Sequence, residues 1–428
     1  MKIVVVGTGY VGLVNAVGLA ELGHEVFGVD TDQKKINLLI KGHEPFYEPG
    51  LKKMLKKNLS QGRLTFTSQL TDVINQADMI FICVGTPPKR DGSADLTYVK
   101  SVSEAINRYA KSGKIIINKS TVPVGAGKIL EEILNKKNGR FFQVVSCPEF
   151  LREGKAMHDF FHPDRIVVGA VKAADGQKVM ELFAKIKAVK IITGRETSEL
   201  IKYAANAFLA TKISFINEIS NLCEKVGADV QEVGRGMGLD KRIGLHFLQA
   251  GIGYGGSCFP KDVRALKQIA GGSGYNFRLL KAVIEVNNKQ RKLFLEKIKK
   301  TMVNLSNKTV AVLGLAFKDN TDDIRESAAL DIVKALQSFG AKVKVYDPQA
   351  MANAKLVLPK KTIFCLGPYA AVENSQAVVI ATEWPAFADL NWPRIKKSMK
   401  GRTIFDGKNL LNREIIKKIG FQYIAMGR

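Results

Sequence analysis

Cysteine is scarce in this sequence. There are five residues, Cys83, Cys147, Cys223, Cys258 and Cys365, with no Cys-x-x-Cys pair. That argues against a disulfide framework and against a zinc site, and it points to a reducing compartment, the cytoplasm. Acidic residues are also few: forty Asp and Glu stand against sixty-five Lys and Arg, a formal net charge of +25. Such an excess attracts anions, whether nucleic acid, an anionic membrane surface or phosphorylated small molecules. The basic residues are spread through the chain without an RNP-type aromatic motif or a dense basic tail, so nucleic acid is not an expected partner. No apolar run approaches the ~18 residues of a membrane span. The opening run MKIVVV stops at Gly7, without the long apolar stretch or cleavage signature of a signal peptide. Low-complexity tracts are missing as well. What remains is an ordinary globular composition, 46% hydrophobic and 25% charged, in 428 residues. At ~150 residues per domain that is two or three domains.

The first half alternates short β-branched runs with helical periodicity. The runs are Ile3–Val6, Glu25–Val29, Met79–Val84, Lys114–Asn118, Phe142–Val145 and Arg165–Val168. This pattern predicts a parallel sheet covered by helices. From Thr197 to Gly227 an unbroken amphipathic stretch predicts one long helix, capped by Thr197 or Ser198 and ended by Gly227. A second long helical pattern covers Phe277–Met302. Strand runs then return at Lys308–Leu313, Lys342–Tyr346, Gln376–Ala381 and Arg402–Phe405. KTVAVLGLAFK resembles KIVVVGTGYVG, and GAKVKVYDP resembles GHEVFGVDT, so the last region reads as a degenerate copy of the first. The copy has lost the phosphate-loop glycines and is not expected to bind a cofactor in the same way.

Gly7-Thr8-Gly9-Tyr10-Val11-Gly12 follows a strand, opens a helical pattern, and is followed by Asp30 at the end of the next strand. In that context Gly7 permits the tight turn, Gly9 admits a pyrophosphate to the helix N-terminus, and Gly12 lets helix and strand pack closely. Asp30 would bind both ribose hydroxyls and repel a 2′-phosphate, so NAD is the expected cofactor. The expected fold is therefore α/β: two Rossmann-like doubly wound parallel-sheet domains, residues 1–196 and 304–428, joined by a central helical segment, 197–303. Thr86, in VGTPP, and Thr121, in STVP, each follow a strand, where ligands sit in open α/β sheets.

The segment from Gly251 to Asp262, GIGYGGSCFPKD, is the most informative. Gly251, Gly253, Gly255 and Gly256 read as a backbone able to approach a ligand closely. Cys258 is followed at +3 and +4 by Lys261 and Asp262; the cation favours the thiolate and the carboxylate can activate water. Cys83, Cys223 and Cys365 read as small buried hydrophobes. Pairing a nicotinamide site with a nucleophilic thiol predicts oxidation of an alcohol to an acid through a thiohemiacetal and a thioester, with two NAD reduced. Lys202 and Asn206 lie at i and i+4 on the long helix, in an apolar neighbourhood, where an ammonium can stabilise charge on a substrate oxygen.

With the glycine fingerprint, PEFLREG, KYAANAFLATKISFINE, GYGGSCFPKD and FKDNTDDIRES in that order, the sequence resembles the UDP-glucose 6-dehydrogenase family over essentially its whole length. The resemblance implies NAD-dependent four-electron oxidation of a nucleotide sugar's C6 alcohol to a uronate, in a cytoplasmic homodimer or larger assembly built on the long helix. GDP-mannose or another nucleotide sugar is the alternative substrate. It also implies roles. Cys258 is the nucleophile, with Lys202 and Asn206 assisting the oxyanion. Asp262 handles water or a proton with Thr121 nearby, Glu149 acts as acid or base, and Glu153 bridges the substrate and cofactor sites. Gly7, Gly9, Tyr10, Val11, Gly12, Asp30, Lys35, Thr86, Thr121, Lys261 and Arg325 match cofactor positions. Phe150, Leu151, Arg152, Phe247, Leu248, Gln249, Ala250, Gly251, Gly255 and Lys318 match sugar-nucleotide positions. Arg242 matches an arginine reaching a neighbouring subunit's site, and Arg402 a further substrate-side position. Three departures stand out: Cys147 where the family usually has Asn, Ala328 where it usually has Pro after Arg-Glu-Ser, and the high charge.

Overall fold

The computed structural model describes residues 1–136 and 141–428. It divides into two compact units, Met1–Ala205 with Gln268–Gly274, and Asn206–Lys267 with Tyr275–Arg428.

The first unit is built on eight strands: β1 Lys2–Val6, β2 Glu25–Val29, β3 Leu64–Thr67, β4 Met79–Ile82, β5 Ile115–Asn118, β6 Gln143–Ser146, β7 Arg165–Gly169 and β8 Val189–Thr193. Their order is β3-β2-β1-β4-β5-β6-β7-β8. Successive side chains along a strand point to opposite faces. Ile3 and Val5 therefore enter one core, with the helix Tyr10–Glu21, while Val4 and Val6 enter the other. All four are 7% exposed or less, so β1 is sandwiched, and each such side chain contributes roughly 1.5–3 kcal/mol on burial. A charged residue at Val5 would leave an unpaired ion in that core.

Two features depart from the sequence reading. The β6–β7 junction is antiparallel. The chain spends the interval after β6 on the PEFLREG loop and the short helix Ala156–Phe161 rather than on a long crossover helix, so β7 and β8 run back against the parallel strands. The long helix spans Arg195–Val226, beginning before the expected caps. Ser198 donates its backbone N–H to the Gly194 carbonyl and is already inside the helix. At ~1.5 Å per residue that helix is about 48 Å long.

The second unit holds β9 Thr309–Leu313, β10 Lys342–Tyr346, β11 Ile363–Phe364, β12 Ala377–Ile380, β13 Thr403–Asp406 and β14 Gln422–Ala425. The order is β11-β10-β9-β12-β13-β14, and every pairing is parallel. Its two cores again divide by alternation, Val310 and Val312 on one face, Ala311 and Leu313 on the other. The helix Arg278–Met302 belongs to this unit and sends Phe294 and Ile298 into the first of those cores. Among the described residues, no helix is long and apolar enough to cross a membrane.

Candidate active site

In the first unit the turn after β1 is fixed by sterics. Gly7 has φ +94°, and a Cβ on it would lie 2.8 Å from the Cys83 carbonyl oxygen. A Cβ on Gly12 would lie 1.7 Å from the Gly7 carbonyl oxygen. Gly9 is different: a Cβ there meets nothing within 4 Å, and Gly9 caps the helix Tyr10–Glu21. Gly9 therefore leaves room at the helix N-terminus, whose first-turn N–H groups have no partner within the helix, as a pyrophosphate requires. Asp30 ends β2. Its Oδ2 accepts from Thr8 N–H at 2.9 Å, Thr8 Oγ1–H at 2.9 Å and Lys35 Nζ at 2.8 Å. Burial alone would raise its carboxyl, but Lys35 and the donors outweigh that and lower it, so Asp30 is an anion in position for ribose hydroxyls. These residues fit NAD.

The loops after β4 and β5 are tied together. Thr86 Oγ1 donates to the Thr121 carbonyl at 2.8 Å, so this hydroxyl braces the loop rather than facing outward. The turn after Thr121 is anchored by Glu199 on the long helix, whose carboxylate accepts from Gly125 N–H at 2.6 Å and Gly127 N–H at 2.9 Å.

After β6 comes the PEFLREG loop. Glu149 is 6% exposed; its Oε1 accepts from Lys202 Nζ at 2.8 Å and its Oε2 from Leu151 N–H at 2.6 Å. Burial pushes its carboxyl up, and the Lys202 ammonium overrides this and holds it below the usual carboxylate range. Phe150 carries two cations over its ring, Arg165 at 3.8 Å and Lys202 at 5.5 Å. Arg152 grips Asp159 with Nε at 2.8 Å and a terminal nitrogen at 2.6 Å, so its guanidinium shapes the loop. Glu153 is buried beside it. A cavity on this side is lined by Lys119, Glu149, Phe150, Asp159, Phe160 and Arg165. Lys119 Nζ lies 3.4 Å from Cys147 Sγ, where the family pattern has Asn.

In the second unit Cys258 stands immediately before the helix Phe259–Gly272 and its carbonyl accepts from Asp262 N–H at 2.8 Å. A helix N-terminus favours negative charge. Ser257 Oγ is 3.4 Å from the Cys258 sulfur. Asp262, 1% exposed, is held from two sides: Asn206 Nδ2 donates to Oδ2 at 2.6 Å and Lys261 Nζ to Oδ1 at 2.5 Å. By contrast, burial pushes the Cys83 thiol up to about 12. None of the five cysteines is in a disulfide.

Protein crowds the Cβ positions of the glycines before Cys258. A Cβ on Gly251 would lie 2.8 Å from the Gly407 carbonyl oxygen, on Gly253 2.6 Å from Asn287 Oδ1, on Gly255 2.4 Å from the Glu326 carbonyl oxygen, and on Gly256 2.6 Å from the Phe317 ring. The loop is seated against other backbone, with Gly251 N–H donating to Asn217 Oδ1 at 2.9 Å. Upstream, Phe247 adopts φ +64°, a conformation costly for a bulky residue, beside buried Leu248 and Ala250 and exposed Gln249.

The predicted arginines fare unequally. Arg325 forms a bidentate pair with Asp323 after β9, near the half-buried Lys318. Arg242 is exposed and paired with Asp240. Arg402 precedes β13 and so sits at the amino end of the sheet, away from the edge where ligands bind. The cation at the carboxyl end of that strand is Lys408, whose Nζ is 2.8 Å from Glu383. Sequence reasoning missed Lys408, Lys119 and Glu199; only Lys408, following FDG at a strand end, carried a readable signal.

A glycine-turned strand–helix junction that fits NAD, an ionised ribose-side acid and a thiol at a helix start define a nicotinamide-dependent dehydrogenase. Family models agree in all three parts of the chain: the NAD binding domain of the UDP-glucose/GDP-mannose dehydrogenase family matches residues 1–187, its central domain 196–289 and its UDP binding domain 311–413. The chain belongs to the UDP-glucose/GDP-mannose dehydrogenase family. It is 48% identical to the UDP-glucose 6-dehydrogenase TuaD of Bacillus subtilis, over 100% of this chain and 93% of that protein. It is 46% identical to the UDP-glucose 6-dehydrogenase of Rhizobium meliloti, over 100% of each. Among solved structures, a UDP-glucose dehydrogenase from the hyperthermophilic archaeon Pyrobaculum islandicum superposes with TM-score 0.93 at 38% identity, covering 99% of this chain and 96% of that one. NAD is the cofactor.

Proposed function

We propose that this chain oxidises the C6 alcohol of UDP-glucose to the carboxylate of UDP-glucuronate, reducing two NAD per sugar. The observation that carries the reading is the start of the helix Phe259–Gly272, where Cys258 precedes a buried carboxylate held between Asn206 and Lys261. The names of full-length relatives support the substrate.

Bound in the Gly7–Gly12 turn and at Asp30, NAD supplies the hydride acceptor for both oxidation steps. Glu149, kept ionised by Lys202, is suited to take the alcohol proton, a base rather than an acid at this stage. The Cys258 sulfur adds to the C6 aldehyde, forming a C–S bond, while Lys202 and Asn206 stabilise the oxygen anion. Loss of hydride from that thiohemiacetal leaves a thioester. Asp262 and Thr121 orient water for attack, the C–S bond breaks, and the thiolate returns to Cys258. The Lys and Arg excess draws the anionic sugar nucleotide toward the surface.

The same reading covers assembly and place. Residues 1–196 carry the cofactor, 197–303 the central segment and 304–428 the nucleotide. Phe208, Phe215 and Leu222 recur every seven residues on the long helix and are 67%, 48% and 52% exposed. An apolar stripe of this kind is the mark of a helix that pairs with a second copy. The stripe supports a homodimer; a cytoplasmic location and Arg242 reaching toward the partner belong to the same proposal. Light scattering of wild type and Phe208→Glu tests it; a monomeric wild type would sink the dimer.

NADH formed per limiting UDP-glucose tests the chemistry. A ratio near two supports the full reading, and a ratio near one removes the thioester half. No NADH from UDP-glucose but turnover of GDP-mannose moves the substrate to the alternative.

A further inference from the structure

The PEFLREG loop is organised by three carboxylates. Glu149 accepts from Leu151 N–H and Asp159 from Arg152 N–H, both local in sequence. The third, Glu48, comes from the segment HEPFYEPGL, about a hundred residues upstream. It is 2% exposed. Its Oε2 accepts from Gly154 N–H at 2.7 Å and its Oε1 from Ala156 N–H at 2.8 Å. It also accepts from the Met157 backbone and from the Tyr10 hydroxyl, which in turn accepts from Gly154 N–H at 2.9 Å. Tyr10 is the first residue of the helix that Gly9 opens, and its ring packs 4.9 Å from Phe46. One buried carboxylate thus joins the first turn of the cofactor helix to the loop that carries Glu149 and Glu153. Burial pushes Glu48 up, against the pull of its donors, so holding a carboxylate here costs stability.

We propose that Glu48 is a positioning residue that couples the cofactor turn to the substrate loop, so that NAD at Gly9–Tyr10 sets the geometry of residues 149–154 and thereby the affinity for the nucleotide sugar. The proposal rests on the reading of this chain as a nucleotide-sugar dehydrogenase. Its mechanism is mechanical. NAD constrains the first helical turn, Tyr10 and Glu48 carry that constraint, and the Gly154 and Ala156 amides receive it.

The test uses Glu48→Gln, which keeps shape but sets an amide donor against backbone N–H donors in place of one acceptor oxygen, and Tyr10→Phe, which keeps the ring. The expected result for Glu48→Gln is a UDP-glucose KM raised by about 10-fold or more, the worth of one or two hydrogen bonds to a charged group. NAD affinity measured alone stays nearly unchanged, and the tightening of UDP-glucose binding by NAD, measured by calorimetry, is lost. Tyr10→Phe shows the same loss of coupling to a smaller degree. Hydrogen exchange of the ligand-free protein supplies an independent readout, with faster exchange at Gly154 and Ala156 in Glu48→Gln. If exchange accelerates but KM and coupling match wild type, Glu48 is a structural brace and the proposal is overturned. If Glu48→Gln fails to fold, Tyr10→Phe alone decides on the coupling. If wild type does not bind UDP-glucose, the functional reading fails, and coupling of NAD to loop exchange then decides on Glu48 separately.

Discussion

After β1 and after β9 the chain makes one and the same turn. Gly7, φ +94°, donates its N–H to the Val29 carbonyl; Gly314, φ +95°, donates to the Tyr346 carbonyl. Thr8 N–H reaches Asp30, and Leu315 N–H reaches Asp347 at 2.7 Å. The turns part at the next residue. Gly9 leaves open space, whereas Ala316 stands there in the second unit, 0% exposed, with its N–H also on Asp347 at 3.0 Å. The first turn runs straight into a helix; the second runs through a loop, and its helix waits until Ala328. Asp30 keeps Oδ1 bonded only locally, to Asp32 N–H, while Asp347 is 1% exposed and also takes the Trp384 indole N–H at 3.1 Å. Duplicate geometry has become a ligand site in one copy and a structural brace in the other. What separates them is one Cβ, the helix that starts at once or only at Ala328, and the protein donors on one carboxylate.

The largest test of that contrast takes the proposed nucleophile, Cys258, from the second unit. Cys258→Ser should cut acid formation by on the order of 10³-fold or more, with NAD binding at the first turn unchanged. Alkylation at mildly basic pH should label Cys258 and spare Cys83, whose thiol lies near 12; peptide mapping reads this directly. Next, Asp30→Ala should weaken NAD roughly 10–100-fold by titration calorimetry. Asp347→Ala should leave NAD binding alone and lower unfolding free energy by about 2–4 kcal/mol, since the buried donors Leu315 N–H, Ala316 N–H, Ala350 N–H and the Trp384 indole lose their acceptor. If Asp347→Ala weakens NAD instead, the second turn binds cofactor and the contrast collapses. Gly9→Ala should weaken NAD about 10-fold while changing stability by less than ~0.5 kcal/mol, because its Cβ meets only the ligand's space. Ala316→Gly should confer no NAD binding.

The smallest expected effect concerns two buried carboxylates, one in each unit. Glu149 has a cation and lies low; Asp406 has none, and burial pushes it up against the pull of Leu411 N–H and Tyr423 O–H. A lowered folded value stabilises above the ordinary value of 4.5 and fades as pH falls. A raised one costs stability as pH rises above its ordinary 3.8. Urea midpoints should therefore show the wild-type advantage over Glu149→Gln shrinking in acid, and that over Asp406→Asn shrinking toward neutrality. Parallel behaviour of the two variants would erase the distinction.

Much of the fold was legible because buried parallel strands are continuous apolar runs. β1, β2 and β10 stand where their runs predicted. The edge strands β3, β8, β11 and β14 were not read. Val189–Thr193 mixes a lysine with mostly exposed apolar residues, and Ile363–Phe364 is too short for any period. At the site, residue types and spacing pointed to Cys258, Lys202 and Asp262, and the family resemblance to Glu149. They could not show that Glu149 is held by Lys202, or that Asp262 sits between Asn206 and Lys261. Glu48 and Glu199 escaped notice because a single acid in a loop or on a helix carries no pattern of its own.

By itself the sequence determined the class of fold, the cofactor turn and the candidate nucleophile. These follow from local rules: alternation, a glycine where φ must be positive, a thiol before a helix. Only the tertiary structure decided which carboxylates are ionised, which glycines make room for a ligand and which for backbone, and at which end of β13 a cation can serve. Burial and charge pairing are sums over neighbours distant in the chain, and one residue's type does not contain them.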